Sequence, residues 1–146
     1  MHTVIARLNE WINELPGRLA ALEEELALKP QPQKWSKKEI LGHLCDSATN
    51  NYQRFVRAQY EKSPFIVPKY DQNQWVAVND YQNMAINDII KLWTTLNGQI
   101  VAVVSGLPEE KRNLPCEIGG AQPVTLEWLI RDYLDHMEHH VRQILA

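Results

Sequence analysis

The segment Asp135–His140, DHMEHH, places three of the protein's five histidines in five positions close to the end of the chain. Neutral imidazole is the commonest protein ligand for transition metals, so the cluster raises the question of a metal site. His136 and His140 stand at i, i+4, one helical turn apart, where two side chains can address one ion. With His136 set to zero on a helical wheel, Tyr133, Met137 and Ile144 fall between roughly 60° and 100°, and His140 lies near 40°. The pair therefore sits at the edge of the apolar stripe and within it. His139, near 300° on the same wheel, points away and reads as a solvated neighbour. His139 as the true ligand remains the alternative. Glu138 falls between the pair in sequence but near 200° on the wheel, so it does not make the arrangement of a helical HExxH base.

Two imidazoles seldom make a site, because a catalytic zinc takes about three protein ligands and keeps a fourth position open. The third candidate is His43 in ILGHLCDS, 93 residues earlier. It lies along an inward edge with Ile40, Leu44 and Ser47, and a histidine there needs partners for its ring nitrogens. A metal shared between facing helices would supply one. Two readings stand on spacing alone: a three-histidine site, or core histidines bonded to carbonyls or water.

The elements that must bring these residues together are helical. A first segment runs from about Thr3 to Leu28, with Pro16 and Gly17 as the place for a kink or a split, and Pro30 and Pro32 forbid its continuation. The second begins at Ser36, whose hydroxyl and Glu39 form a capping box, and the KSP around Pro64 ends it. Residues 63–83 make a connection longer than the roughly two to eight residues usual in bundles. Tyr70, Trp75 and Tyr81 make this connection too aromatic for a free linker, and Asp71 to Val78 reads as a short helix. The third long helix spans about Met84 to Ser105, with Gly106 placed for a left-handed cap. Thr125 caps the fourth, which runs from Leu126 to about Leu145. Almost nothing between these segments reads as a strand. The expectation is an all-α four-helix bundle, one domain over 1–146, whose second and third long helices are not simple antiparallel neighbours.

Composition removes other classes. A net charge of −3, with no basic run, argues against a nucleic-acid surface. No segment reaches the roughly 18 apolar residues of a membrane span, and the opening MHTVIARLNEWINEL lacks the apolar core of a signal peptide. Cys45 and Cys116 are far apart and form no CxxC, so a reducing cytoplasm is the expected compartment and a buried free thiol the reading of Cys45.

Three stretches, WSKKEILGHLCDSATNNYQRF at 35–55, YDQNQW at 70–75 and VTLEWLIRDYLDHMEHHVRQI at 124–144, resemble the DinB/YfiT-like superfamily. The resemblance spans nearly the whole chain. It implies a four-helix bundle with an up-down-down-up path, and a divalent metal, zinc or nickel, held by three histidines. One comes from the GHL motif and two from HxxxH on the last helix: here His43, His136 and His140. It also implies an enzyme acting on a small molecule, with two alternatives. One is transfer of a low-molecular-weight thiol such as bacillithiol, the other metal-dependent hydrolysis. A non-catalytic metal-binding interaction module is the rival from another class, and pairing through helix faces as a homodimer is compatible with the bundle.

Further candidates surround this set. Asp46, at i+3 from His43, is a candidate catalytic carboxylate, either orienting an imidazole or assisting proton transfer, against an exposed helix carboxylate as the alternative. Asn50 and Asn51 one turn on, Tyr70 and Trp75 in the long connection, and Tyr133 one turn before His136 are candidates for a substrate pocket. Cys45 lies roughly 200° round the helix from His43, so a reacting thiol must come from a cosubstrate.

Overall fold

A computed structural model describes residues 1–146. Its helices are α1 (His2–Ala20), α2 (Glu23–Leu26), α3 (Lys37–Arg57), α4 (Gln72–Asn79), α5 (Ile86–Ser105) and α6 (Leu126–Leu145). α1, α3, α5 and α6 form the bundle. Each of the four helices packs against two others: α3 lies between α5 and α6, and α1 closes the ring against both.

Side-chain contacts give the directions. Cys45 meets the Ile89 carbonyl near the starts of α3 and α5, while Phe55 and Asn97 both meet Tyr133 further along, so α3 and α5 run parallel. His43 meets His136 and His140, and Phe55 meets Tyr133, so α6 runs against α3. Arg7 and Trp11 both reach Glu138, and Val4 lies near Arg131, which sets α1 alongside α6 in the same sense. The path is up-down-down-up. Two adjacent parallel helices of about 20 residues require a connection that travels back some 30 Å. That requirement explains the length of the link between α3 and α5.

The link is itself ordered. α4 starts at Asp71, whose side chain accepts from the Gln74 N–H at 3.0 Å. Before it, Phe65–Ile66 (β1) pairs in parallel with Pro115–Glu117 (β2), and Val124–Thr125 (β3) adds to β2 antiparallel. This small sheet ties the two long connections to each other. It carries no sequence signal, because strands of two or three residues are too short to show a period.

The α3 capping box is present in full: Ser36 Oγ accepts from the Glu39 N–H at 3.1 Å, and the Glu39 carboxylate accepts from the Ser36 N–H at 3.0 Å. Thr125 accepts from the Trp128 N–H at 3.0 Å and starts α6 as expected. Three boundaries differ from expectation. α1 passes through Pro16 and stops at Ala20, leaving α2 as a separate turn. α3 stops at Arg57, well before Pro64. Gly106 is not left-handed (φ −89°, ψ 0°): the Leu107 N–H bonds the Val104 carbonyl, so α5 tightens instead of reversing. The left-handed cap is Asp80, after α4 (φ 52°).

The apolar core is continuous across the four long helices. α3 is its centre: residues 41–48 are all buried, because α5 covers one side and α6 the other. His43, Asp46 and Ser47 are thus taken into the interior with their apolar neighbours. No helix is long and apolar enough to cross a membrane.

Candidate metal centre

His43 projects from the first half of α3 toward the second half of α6, where it meets His136 and His140. One nitrogen from each of the three rings lies within 4.8 Å of the others, and no other group of three potential ligands in the chain converges so. The ring centroids are 4.6 to 5.2 Å apart and the rings stand edge to face. His43 is buried, while His136 and His140 are half-buried. His139 is exposed and lies outside the group.

Several observations bear on whether this group fits a cation. His43 Nε2 and His136 Nε2 are 3.3 Å apart. Two ligands about 2.0–2.1 Å from a tetrahedral zinc are separated by about 3.3 Å. His43 Nδ1 is buried without a partner. Burial, then the neighbouring imidazoles, push the His43 ring down from 6.5 to about 4, and the same causes push His136 to about 4. Burial also lowers His140, against a hydrogen bond from its Nδ1 to Gln143 Oε1 at 2.7 Å. Three imidazoles held neutral at physiological pH, with a nitrogen of each converging and no carboxylate among them, are a donor set for a divalent transition metal.

Local packing sets the position of His43. Trp35 covers one face of its ring, at 5.1 Å between centroids. Gly42, directly before it, allows the Tyr81 ring to lie against α3, where any Cβ at position 42 would overlap the ring. The Tyr81 hydroxyl then donates to Asp46 Oδ1 at 2.6 Å, and the Asn79 amide donates to the same oxygen at 3.3 Å. Asp46 is therefore neither exposed nor bonded to His43. Its carboxylate holds the α4 region onto α3, with Oδ2 buried and unpartnered. Burial, opposed by the Tyr81 hydroxyl, pushes the Asp46 carboxyl up to about 6.

A cleft of about 320 Å³ opens beside His136. Of the residues expected there, Asn51, Tyr70 and Tyr133 line it. Asn50 and Trp75 do not: the Asn50 amide donates back to the Asp46 carbonyl at 2.9 Å, and Trp75 packs on Tyr70 at 5.7 Å. The Tyr133 hydroxyl donates to Asn97 Oδ1 at 2.5 Å, a buried pair, so that hydroxyl is engaged within the core. Neither cysteine reaches this space. Cys45 is buried against the Ile89 carbonyl and burial pushes its thiol up, while Cys116 lies in β2.

Sequence reading passed over Arg54, Lys69, Asp132 and Trp35. A signal existed for Arg54: at i+11 from His43 it falls within about 20° of the same helix face. Asp132 likewise stands one turn before His136. Lys69 and Trp35 lie in irregular segments where spacing carries no direction.

Comparison with known proteins places these features. The profile of the DinB superfamily matches residues 2–144. A candidate metal-dependent hydrolase of Oceanobacillus iheyensis is 30% identical over 99% of this chain and 79% of its own length. YfiT of Bacillus subtilis, which carries the same description, is 26% identical over 93% of this chain and 81% of its own. The solved structure of YfiT, with its unusual four-helix bundle topology, superposes with a TM-score of 0.75 at 24% identity, covering 94% of this chain and 83% of that one. The mycothiol-dependent maleylpyruvate isomerase has the same fold, with a TM-score of 0.77 at 11% identity over 99% of this chain and 60% of that one. The chain belongs to the DinB superfamily.

Proposed function

We propose that this protein is a metal-dependent enzyme in which His43, His136 and His140 hold one zinc or nickel ion, and that it transfers a low-molecular-weight thiol to a small electrophilic substrate. The observation that carries the reading is the convergence of three neutral imidazoles, without a carboxylate, at the edge of an open cleft. A divalent ion bound there would retain its charge and an open position, favouring the anionic form of a thiol or of water.

The chain's own residues divide the remaining work. Trp35 packs on the His43 ring, the Gly42–Tyr81 contact holds the turn of α3 that carries it, and the cleft admits a small molecule on the α6 side, past Tyr70 and Tyr133. Neither cysteine borders that cleft, so the nucleophilic sulfur must arrive with a cosubstrate. Asp46 is committed to Tyr81 and Asn79, which favours a positioning role over proton transfer to substrate.

Hydrolysis is the second reading. The curated relatives are described as candidate metal-dependent hydrolases, and Asp132, on the cleft wall one turn before His136, is the carboxylate placed to take a proton from water.

The two readings separate in one experiment. Untagged protein is loaded with zinc or nickel, and bacillithiol, glutathione and coenzyme A are each offered with electrophilic acceptors, beside ester and amide substrates without thiol. Thiol-conjugated product that disappears in His43→Ala supports the proposal. Hydrolysis without thiol, lost in Asp132→Asn, selects the second reading. Metal uptake with no turnover in either arm returns the site to a binding module.

A further inference from the structure

The cleft beside His136 has a positive wall whose cations form no ion pair. Arg54 is half-buried on α3 and Lys69 is exposed in the following connection; both line the cleft, and neither has a carboxylate within 4.0 Å. The four ion pairs of the chain are formed by Arg7, Lys29, Arg57 and Arg131 instead. Arg54 is nevertheless held in place. Its Nη2 donates to the Pro68 carbonyl at 2.5 Å, its Nη1 to Asn51 Oδ1 at 3.4 Å, and the guanidinium lies 5.7 Å from the Tyr70 ring centroid. Two of five N–H donors are thus in use, and the others remain for a ligand. A fixed guanidinium fork in a cleft matches the geometry of a carboxylate. Asp132 stands on the opposite, α6 wall, so the cleft carries two cations against one anion.

The placement relative to the histidines is set by the helix. Arg54 follows His43 by eleven residues, about 16 Å along α3 and within about 20° of the same face. Both side chains lean toward the helix start, so the offset from His43 stays about 16 Å, while His136 on α6 lines the same cleft as Arg54. Ser47 and Asn51 line the interval.

We propose that the cleft is a carboxylate-recognition arm: Arg54, assisted by Lys69, holds the carboxylate end of a small molecule whose other end reaches the histidine cluster. The inference rests on that cluster being the reactive end. The carboxylate belongs either to the thiol cosubstrate or to its acceptor, and both share this chemistry.

The test is calorimetric titration of the zinc-loaded full-length chain with 8-mercaptooctanoate and with its uncharged counterpart 8-mercaptooctanol. Octanoate and octanol form the thiol-free arm. The carboxylate compound is expected to bind at least about tenfold more tightly than the alcohol in one arm or both. A preference confined to the thiol pair assigns the carboxylate to the cosubstrate; a preference that includes the thiol-free pair assigns it to the acceptor. Arg54→Gln brings the ratio close to one, and Arg54→Lys restores part of it. Because Arg54 also holds Pro68, folding and zinc content of each variant are checked by circular dichroism and metal analysis. If Arg54→Gln does not fold, exposed Lys69→Gln carries the test, with a drop of at least about threefold in the ratio. A ratio near one in the wild type, or one that survives these substitutions, overturns the inference. If the chain takes up no zinc, the proposed function fails separately, and the thiol-free pair on metal-free protein still reads the cationic wall.

Discussion

The last helix presents two buried polar faces that differ in one respect. On one face Glu138 accepts from Arg7 through both Nε, at 2.9 Å, and Nη2, and from Trp11 Nε1 at 2.8 Å. Its charge is met and its donors are supplied from α1 within the chain. On the other face His136 and His140 confront His43, ring nitrogen against ring nitrogen, with His43 Nδ1 left without a partner. The first cluster is complete as folded and serves to clasp α1 to α6. The second is a set of like groups brought together at a cost, with no charged partner of its own, and a cation is the partner that three imidazoles can share. A buried polar cluster that lacks one chemical partner is where a ligand belongs.

The largest effect should come from supplying that partner. With free zinc about a thousandfold above its Kd, binding to the folded chain adds about 4 kcal/mol and raises Tm by about 10 °C. His43→Ala abolishes the shift and Glu138→Gln leaves it; a shift that survives His43→Ala would erase the distinction between the faces.

Next in size is the pH response of the metal-free chain, followed by chemical denaturation. His43 and His136, held near 4 when folded, return to about 6.5 when unfolded, so the unfolded chain binds more protons between those values. Stability is therefore full above about pH 6.5 and declines as pH falls toward 4. Burial alone would raise the Glu138 carboxyl, but Arg7 and Trp11 outweigh it and hold it below its ordinary 4.5. Its contribution is lost only at more acid pH, and bound zinc should remove the histidine decline while leaving the carboxylate one.

Two substitutions probe how each face is held. Gly42→Ala forces a methyl into the Tyr81 ring and is expected to destabilise by about 3 kcal/mol, with weakened zinc affinity. Glu138→Ala removes the clasp and costs about 2 kcal/mol, with one zinc still bound per chain. Equal zinc loss in both would contradict the separation of roles. Smallest of all, His139→Ala changes stability and zinc affinity by under about 0.5 kcal/mol, since this ring is exposed and outside the cluster.

The bundle was legible because its helices are long and their caps are chemical: Ser36 with Glu39, Asp71 and Thr125 each do what their side chains suggest. The division among the histidines of α6 was legible for the same reason, since a regular helix converts sequence spacing into direction. Irregular backbone gives no such conversion. The β1–β2–β3 sheet, the placement of Tyr81 on Gly42 and the entry of Lys69 into the cleft all depend on contacts between distant segments. Asp46 shows the limit of local geometry. Its i+3 spacing suggested His43, yet Tyr81, 35 residues away, takes the carboxylate because it is buried beside it and needs an acceptor.

The most direct measurement is zinc affinity by competition with a chromophoric chelator, on the untagged chain and on His43→Ala, His136→Ala and His140→Ala separately. The account predicts one ion per chain, and a loss of affinity of about a hundredfold or more in each of the three variants, since a donor is removed from a three-ligand site. Affinity that is unchanged by His43→Ala, or zinc that follows His139 instead, would contradict it.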